Sequence, residues 1–172
     1  MPAGQTFVLN QKLMSLSGDL WVEDSAGNHA FEVDGKAISL RDTHVLQDLQ
    51  GRPLYTIAQS LAHVRRTFEI KRGEELVATI TQALMAFMGD RFKITLASGQ
   101  EMAVKGDFIH REYRVTQAGR EVIVASRKLL SVRDKYAVQI VPDFDVPLAL
   151  AIVVALERME LMEREKMSTS SD

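Results

Sequence analysis

The sequence contains no cysteine. This absence excludes disulfide bonds, thiolate zinc sites, cysteine nucleophiles and cysteine acylation together. It fits a reducing compartment, and we expect the protein in the cytoplasm. The N-terminus shows no charged start followed by a long apolar core, so the sequence predicts no signal peptide.

The sequence also lacks an excess of charge of either sign. Lysine and arginine number 21 against 23 aspartates and glutamates, a formal net charge of -2. A dedicated nucleic-acid-binding domain usually carries a basic excess, so nucleic acid is not the expected partner. A chain of 172 residues has the size of one domain. We assign residues 1–166 to that domain and expect the polar residues 167–172 to form a disordered tail.

No apolar run is long enough to span a bilayer as a helix. The longest, Val146–Leu156, has eleven residues, which make a helix of roughly 16 Å against a hydrocarbon core of about 30 Å. Asp145 stands at the cap position, and Pro147 is tolerated in a first turn. The sequence therefore predicts a helix over about 146–165 whose first half is buried in protein and whose second half emerges.

The emerging half is expected to be amphipathic. Met159 and Met162 continue the apolar stripe of the first half. Four charged side chains are expected to point away from that stripe: Glu157, Glu160, Glu163 and Arg164.

Most of the sequence before this helix alternates apolar and polar residues in short runs. Leu54–Ile57 and Tyr136–Ile140 are examples, and glycine turns such as Gln50-Gly51 and Ala118-Gly119 separate such runs. Turns spaced this closely, with no helical pattern between them, predict an antiparallel meander of about twelve strands.

A sheet of about twelve strands closes into a barrel because closure removes its exposed edges. A barrel of that width is not filled by strand side chains alone. We therefore predict a mainly β fold, a closed antiparallel β-barrel around a central apolar C-terminal helix.

Two segments of the chain resemble each other at an offset of 68 residues. Residues 64–70 match residues 132–138, and Gly51 and Gly119 precede them at the same offset. Two interpretations remain open: hairpins of any meander resemble one another, or the barrel consists of two duplicated halves.

Motifs for catalysis and metal binding are absent from the sequence. The four histidines, His29, His44, His63 and His110, do not stand at metal-ligand spacing, and no phosphate-binding glycine loop or nucleophile elbow occurs. Asp143 and Asp145 are too few for calcium, which takes six to eight oxygens, and we expect them to cap the barrel mouth. We predict no catalytic residue, no metal, no cofactor and no enzymatic activity.

Basic residues are the candidates for binding. They form two clusters in corresponding stretches of the two halves of the chain: Arg65, Arg66, Lys71 and Arg72 in one, and Arg127, Lys128, Arg133 and Lys135 in the other. A basic residue near an anionic membrane contributes about 1 kcal/mol to binding. We predict these residues as contacts for an anionic headgroup; the alternative is ordinary solvated surface.

Seven short motifs, taken in their order along the chain, resemble the LURP-one-related family. They are Val33-Asp34-Gly35-Lys36, Asp48-Leu49-Gln50-Gly51, Leu54-Tyr55-Thr56-Ile57, Val104-Lys105-Gly106-Asp107-Phe108, Ala125-Ser126-Arg127-Lys128, Asp134-Lys135-Tyr136 and Ala151–Leu156. That family is similar to tubby C-terminal-like proteins and, more distantly, to phospholipid scramblases. The resemblance implies a β-barrel around a central helix and no known catalytic site.

The resemblance and the basic clusters favour a non-enzymatic binding or scaffold protein. Its expected partner is an anionic phospholipid at the membrane surface or an unknown protein, so the protein would be cytoplasmic and peripheral to the membrane. The alternative hypothesis is a small-ligand carrier or an uncharacterised enzyme with a pocket between the barrel and the helix.

Overall fold

The computed structural model describes residues 4–10, 20–35, 42–62, 65–83, 90–130 and 134–170. These residues form twelve β-strands followed by one α-helix, α1 (Val146–Thr169). The strands are β1 (Gln5–Asn10), β2 (Leu20–Asp24), β3 (His29–Gly35), β4 (Thr43–Gln47), β5 (Pro53–Ser60), β6 (Thr67–Arg72), β7 (Glu75–Gln82), β8 (Asp90–Leu96), β9 (Glu101–Asp107), β10 (Glu112–Gln117), β11 (Arg120–Ser126) and β12 (Lys135–Ile140).

The twelve strands make a closed antiparallel barrel, as the alternating runs predict. Each strand pairs with its neighbours in the sequence, and β1 closes the barrel on β12. The closing pair runs from Gln5 opposite Ile140 to Asn10 opposite Lys135. Because each of these twelve described strands has a partner on both sides, none of them offers a free edge for association with another chain.

The helix fills the barrel. Asp145 caps it by accepting a hydrogen bond from the Leu148 backbone N–H at 3.0 Å, and Pro147 lies in the first turn. Every residue from Ala149 to Leu156 is fully buried against the inward-facing strand residues, such as Phe68 and Ile70. The prediction of a central apolar helix is confirmed.

The barrel has two distinct ends. We call the end where the helix begins the capped end; it carries the turns after β2, β4, β6, β8 and β10, together with residues 141–145. We call the other end, where the helix leaves, the exit end; it carries the connections after β3, β5, β7, β9 and β11. Because the strands alternate in direction, each residue near a strand terminus belongs to one of these two ends.

The similarity at an offset of 68 residues coincides with a six-strand repeat. Gly51 precedes β5 and Gly119 precedes β11, and both have positive φ, 76° and 77°. Phe68 in β6 and Tyr136 in β12 stand at matching positions, and both are fully buried. Strands six apart occupy opposite sides of a twelve-strand barrel, which favours the interpretation of two duplicated halves.

The second half of the helix differs from its expected form. Glu157 and Glu160 are 3 % exposed, so they lie against the barrel wall and not in solvent. Both carboxylates have arginine partners there, and paired charges tolerate burial.

The helix is also longer than expected, because it ends at Thr169 and not near residue 165. Residues 167–169, assigned to a disordered tail from their composition, are therefore helical. The hydroxyl groups of Ser168 and Thr169 donate to the Glu165 carbonyl, at 2.9 and 3.2 Å, which satisfies an acceptor in the last turn.

Candidate binding groove and the collar around the helix

A groove of about 520 Å³ lies on the outer face of β9–β12, toward the exit end. Its walls come from all four strands and from the start of the connection after β11. The lining residues are Lys105, Gly106, Glu112, Tyr113, Arg114, Glu121, Val124, Ala125, Ser126, Lys128, Leu129 and Gln139. The outward-facing positions of the strands form its floor, and Lys128 and Leu129 form its lip.

Two basic side chains meet on the groove floor. Lys105 in β9 and Arg114 in β10 stand directly opposite each other in the strand register. Like charges in directly opposed positions are destabilising, and nearby acidic groups reduce that repulsion. The Arg114 guanidinium lies 3.2 Å from Glu121, and Lys105 also stands opposite Asp90 of β8 in the strand register.

Glu112 shapes the exit-end edge of the groove. Its carboxylate accepts hydrogen bonds from the Ser126 hydroxyl at 2.9 Å, the Arg127 N–H at 3.0 Å and the Lys128 N–H at 3.1 Å. These bonds fix the backbone that presents Lys128 at the lip.

Gly106 makes the close strand approach beside the groove possible. A Cβ atom at this position would lie 2.3 Å from the Glu112 carbonyl oxygen and 2.6 Å from Tyr113 Cα. Its φ of 134° is a conformation that residues with side chains rarely adopt.

The structure does not bring the predicted basic residues of the first cluster together. Arg65 is exposed at the exit end, and Arg66 donates to Glu163 of the helix at 2.9 Å. Arg72 lies at the capped end, where it donates to the Tyr55 hydroxyl at 2.5 Å. Lys71 faces outward beside Glu69, 3.6 Å away. These four residues therefore do not converge on one place, because β6 separates its two ends by roughly 20 Å. Their role as headgroup contacts stays a prediction.

The second predicted cluster contributes one residue to the groove. Lys128 lines it, and Arg127 precedes it in the chain. Lys135 instead forms an ion pair with Glu23, 2.8 Å away, on the far side of β1. Arg133 lies outside the described residues.

Sequence reasoning missed Lys105 and Arg114. They are nine residues apart in the sequence and become neighbours only through the register of β9 and β10. Alternation was the available signal for Arg114, which stands between the buried residues Tyr113 and Val115. The signal was weaker for Lys105, because Val104 before it is buried but Gly106 after it is exposed.

Buried ion pairs form a collar where the helix leaves the barrel. Arg111 Nε lies 2.7 Å from Glu157 Oε2, and the Tyr113 hydroxyl donates to Glu157 Oε1 at 3.2 Å. Burial raises the pKa of Glu157 to about 7 despite the attraction of Arg111. The Glu157 side chain is 1 % exposed, so a substrate does not reach it in this structure.

The collar continues around the helix. Glu160 pairs with Arg91 at 3.0 Å, and Arg158 pairs with Asp42. Burial opposes ionisation of Asp42, but hydrogen bonds from His44 and Arg158 outweigh it and lower the pKa to about 2.

The aspartates at the capped end have structural partners. Asp143 accepts two hydrogen bonds from Arg120, both at 2.8 Å, and Asp145 caps the helix. Within the described part of the chain, no group of three or more histidine, cysteine, aspartate or glutamate residues is placed to hold a metal ion. His63 lies outside the described residues.

Comparison with known proteins identifies the class to which this barrel belongs. The family model described as LURP-one-related matches residues 5–157, and the chain belongs to that family. The uncharacterized protein YxjI of Bacillus subtilis is 29 % identical over 149 residues, covering 87 % of this chain and 90 % of that protein.

Plant proteins are similar as well. Protein LURP-one-related 15 of Arabidopsis thaliana is 23 % identical over 90 % of this chain and 79 % of its own length. An X-ray structure of an Arabidopsis thaliana protein matches with a TM-score of 0.70 at 20 % identity, covering 92 % of this chain and 93 % of the other. That likeness confirms the predicted fold. None of the helices described in the structure is long and apolar enough to cross a membrane.

Proposed function

We propose that the protein is a non-enzymatic binding module whose outer groove accepts an anionic group of the phosphate type. Lipid headgroups and soluble phosphates share that chemistry. The observation that carries the proposal is the direct opposition of Lys105 and Arg114 on the groove floor, with Lys128 at the lip. A phosphate group can accept charge-assisted hydrogen bonds from all three of these basic side chains, and such bonds are stronger than those between neutral groups.

The burial pattern favours a binding role on the outside of the barrel over a ligand inside it. From Ala149 to Leu156 the helix is fully buried by apolar strand residues, which leaves the core densely occupied. The titratable groups of the collar already contact one another across distances near 3 Å. These features support the binding module over a carrier or enzyme that works between barrel and helix.

A titration with a soluble inositol phosphate tests the groove. We expect binding in low-salt buffer, followed by calorimetry or by amide chemical shifts, to weaken about tenfold or more in Lys105→Ala/Lys128→Ala. A hydrogen bond to a charged group contributes roughly 1.5 kcal/mol, which is the basis of that estimate.

The matched control is Lys71→Ala/Lys166→Ala, which removes the same charge from exposed or half-exposed positions outside the groove. Equal weakening by both variants would show unspecific attraction to positive charge. That result, or a lack of binding by folded protein, would refute the groove as the site.

A further inference from the structure

The two ends of the barrel differ in the charge of their strand connections. At the capped end the charged residues are mostly acidic: Asp48, Glu74, Asp143 and Asp145 against Arg52. In the described connections of the exit end they are mostly basic: Arg65, Arg66, Arg111, Arg127 and Lys128 against Asp42 and Asp134. Among the described connections, acidic residues therefore outnumber basic ones at the capped end, and basic residues outnumber acidic ones at the exit end. Of the basic residues at the exit end, Arg66 and Arg111 pair with glutamates of the helix, whereas Arg65 and Lys128 are exposed.

The basic connections also carry exposed apolar side chains. Leu61, Ile109 and Leu129 are 62 %, 58 % and 50 % exposed, and each lies in a different connection of the exit end. Isolated exposed leucines are common on protein surfaces. Here the connections after β5 and β11 pair an exposed leucine with Arg65 or Lys128, a combination that suits the interface of an anionic bilayer.

We call Leu61, Ile109 and Leu129 the apolar tips. Hydrogen bonds and ring packing hold the backbone next to two of them, Ile109 and Leu129. Next to Ile109, Phe108 is fully buried, and its ring stacks on Tyr113 at 4.4 Å. The Arg111 guanidinium donates to the Phe108 carbonyl at 2.7 Å, which closes the same connection. Leu129 follows Lys128, whose N–H is held by Glu112. Little conformational entropy remains to be lost when such tips enter an interface.

The tips also flank the groove. Leu129 and Lys128 line it directly, and Ile109 belongs to the connection that follows Gly106, a wall residue. A headgroup in the groove therefore lies beside the side chains that would meet the acyl boundary.

We propose that the protein docks on anionic bilayers with its exit end, so that Ile109 and Leu129 enter the interface while Arg65, Arg127 and Lys128 meet the headgroups. The acidic capped end then faces away from the membrane, because its carboxylates are repelled by anionic lipid. The inference rests on the proposed function and adds that the anionic group belongs to a lipid.

Site-specific labelling tests the orientation directly. Because the chain has no cysteine, Ile109→Cys, Leu129→Cys and Gln50→Cys each offer a single thiol to an environment-sensitive fluorophore. Gln50 is an exposed residue of the capped end. With vesicles of phosphatidylserine and phosphatidylcholine, we expect a blue shift and a severalfold intensity gain at 109 and 129 and no change at 50. A response at 50, or vesicle binding without a response at 109 and 129, overturns the orientation.

Co-sedimentation tests the apolar tips. We expect Ile109→Ser/Leu129→Ser to lower vesicle affinity about fivefold or more, since buried apolar area sets interfacial binding strength. Leu49→Ser/Leu76→Ser is the matched control, with side chains 50 % and 41 % exposed near the capped end, and we expect it to bind like the unaltered protein. Equal loss in both variants overturns the inference.

The two proposals fail in different ways. If the folded protein binds a soluble inositol phosphate in the groove but no vesicles, the docking inference is overturned and the groove stands. If the protein binds vesicles through Ile109 and Leu129 but Lys105→Ala/Lys128→Ala binds inositol phosphate normally, the groove is refuted and the docking end is supported.

Discussion

The two halves of the helix meet the barrel in different ways. From Leu148 to Leu156 the strands surround the helix with apolar side chains, and nearly every residue is fully buried. From Glu157 to Glu163 the same barrel supplies arginines, which pair with glutamates of falling burial, from 1 % exposed at Glu157 to 17 % at Glu163. The first half stabilises the fold through apolar burial, which does not depend on direction. The second half forms ion pairs, which depend on direction and therefore fix the position of the helix relative to the strands.

Because the apolar half supplies most of the buried surface, removing it should affect folding far more than removing the end of the charged half. Truncation after Asp145 removes a buried aliphatic surface that contributes on the order of 10–20 kcal/mol gross, more than the usual net stability of a domain. We expect that protein not to fold, as judged by circular dichroism and thermal melting. Truncation after Arg164 removes a segment whose described residues, 165–170, are exposed, and it should leave a cooperative melt. A soluble, cooperatively melting protein that ends at Asp145 would contradict this account of the apolar half.

Breaking the innermost ion pair should have the next largest effect. Arg111→Met leaves the Glu157 carboxylate buried without its nearest cation, and we expect a loss of about 3–5 kcal/mol at pH 8 in urea unfolding. Arg114→Met, three residues further along the chain, is the control, because its side chain is 63 % exposed and its pair with Glu121 contributes about 1 kcal/mol or less. Arg111→Met/Glu157→Leu should recover much of the loss, since it removes the buried charge. Equal costs for the two single variants would show that burial does not set the strength of these pairs.

The collar should also make stability depend on pH. The apolar half cannot cause such a dependence, because its side chains do not titrate. The pKa of Glu157 is raised to about 7, so between pH 4.5 and 7 the folded protein holds a proton that the unfolded chain releases. Stability therefore falls as pH rises through that window, by an amount on the order of 2 kcal/mol.

Urea unfolding at pH 5, 6, 7 and 8 measures this dependence. We expect Glu157→Gln to flatten the profile, because the variant has no proton to lose at this position. Asp42 acts in the opposite direction and at lower pH: its pKa of about 2 gives stability that is present above pH 3.8 and lost on further acidification. A profile of Glu157→Gln that falls as steeply as that of the unaltered protein would assign the dependence to another group.

The sequence predicts the apolar half of the helix and the barrel far better than it predicts the collar or the groove. Alternation and turn spacing are local signals that can be read from short stretches of sequence. The eleven-residue apolar run Val146–Leu156 must be buried, and the closed sheet provides the interior that buries it. Arg111 lies 46 residues before Glu157, so only the barrel register makes them partners. In the same way, sequence proximity grouped Arg66 with Arg72, although a strand carries them to opposite ends of the barrel.

The outermost pair of the collar should matter least. Arg66 and Glu163 are 21 % and 17 % exposed and lie 2.9 Å apart, so water screens them more than it screens Glu157. We expect Glu163→Gln to cost about 0.5–1 kcal/mol in low salt and less in 1 M salt, because screening weakens an accessible pair. Glu165→Gln, at an exposed position further along the helix, should change stability by less still. Glu163→Gln could instead lower stability as much as Arg111→Met does, with no dependence on salt. That result would contradict this account, because it would mean that solvent is excluded from the Arg66–Glu163 pair as fully as from Glu157.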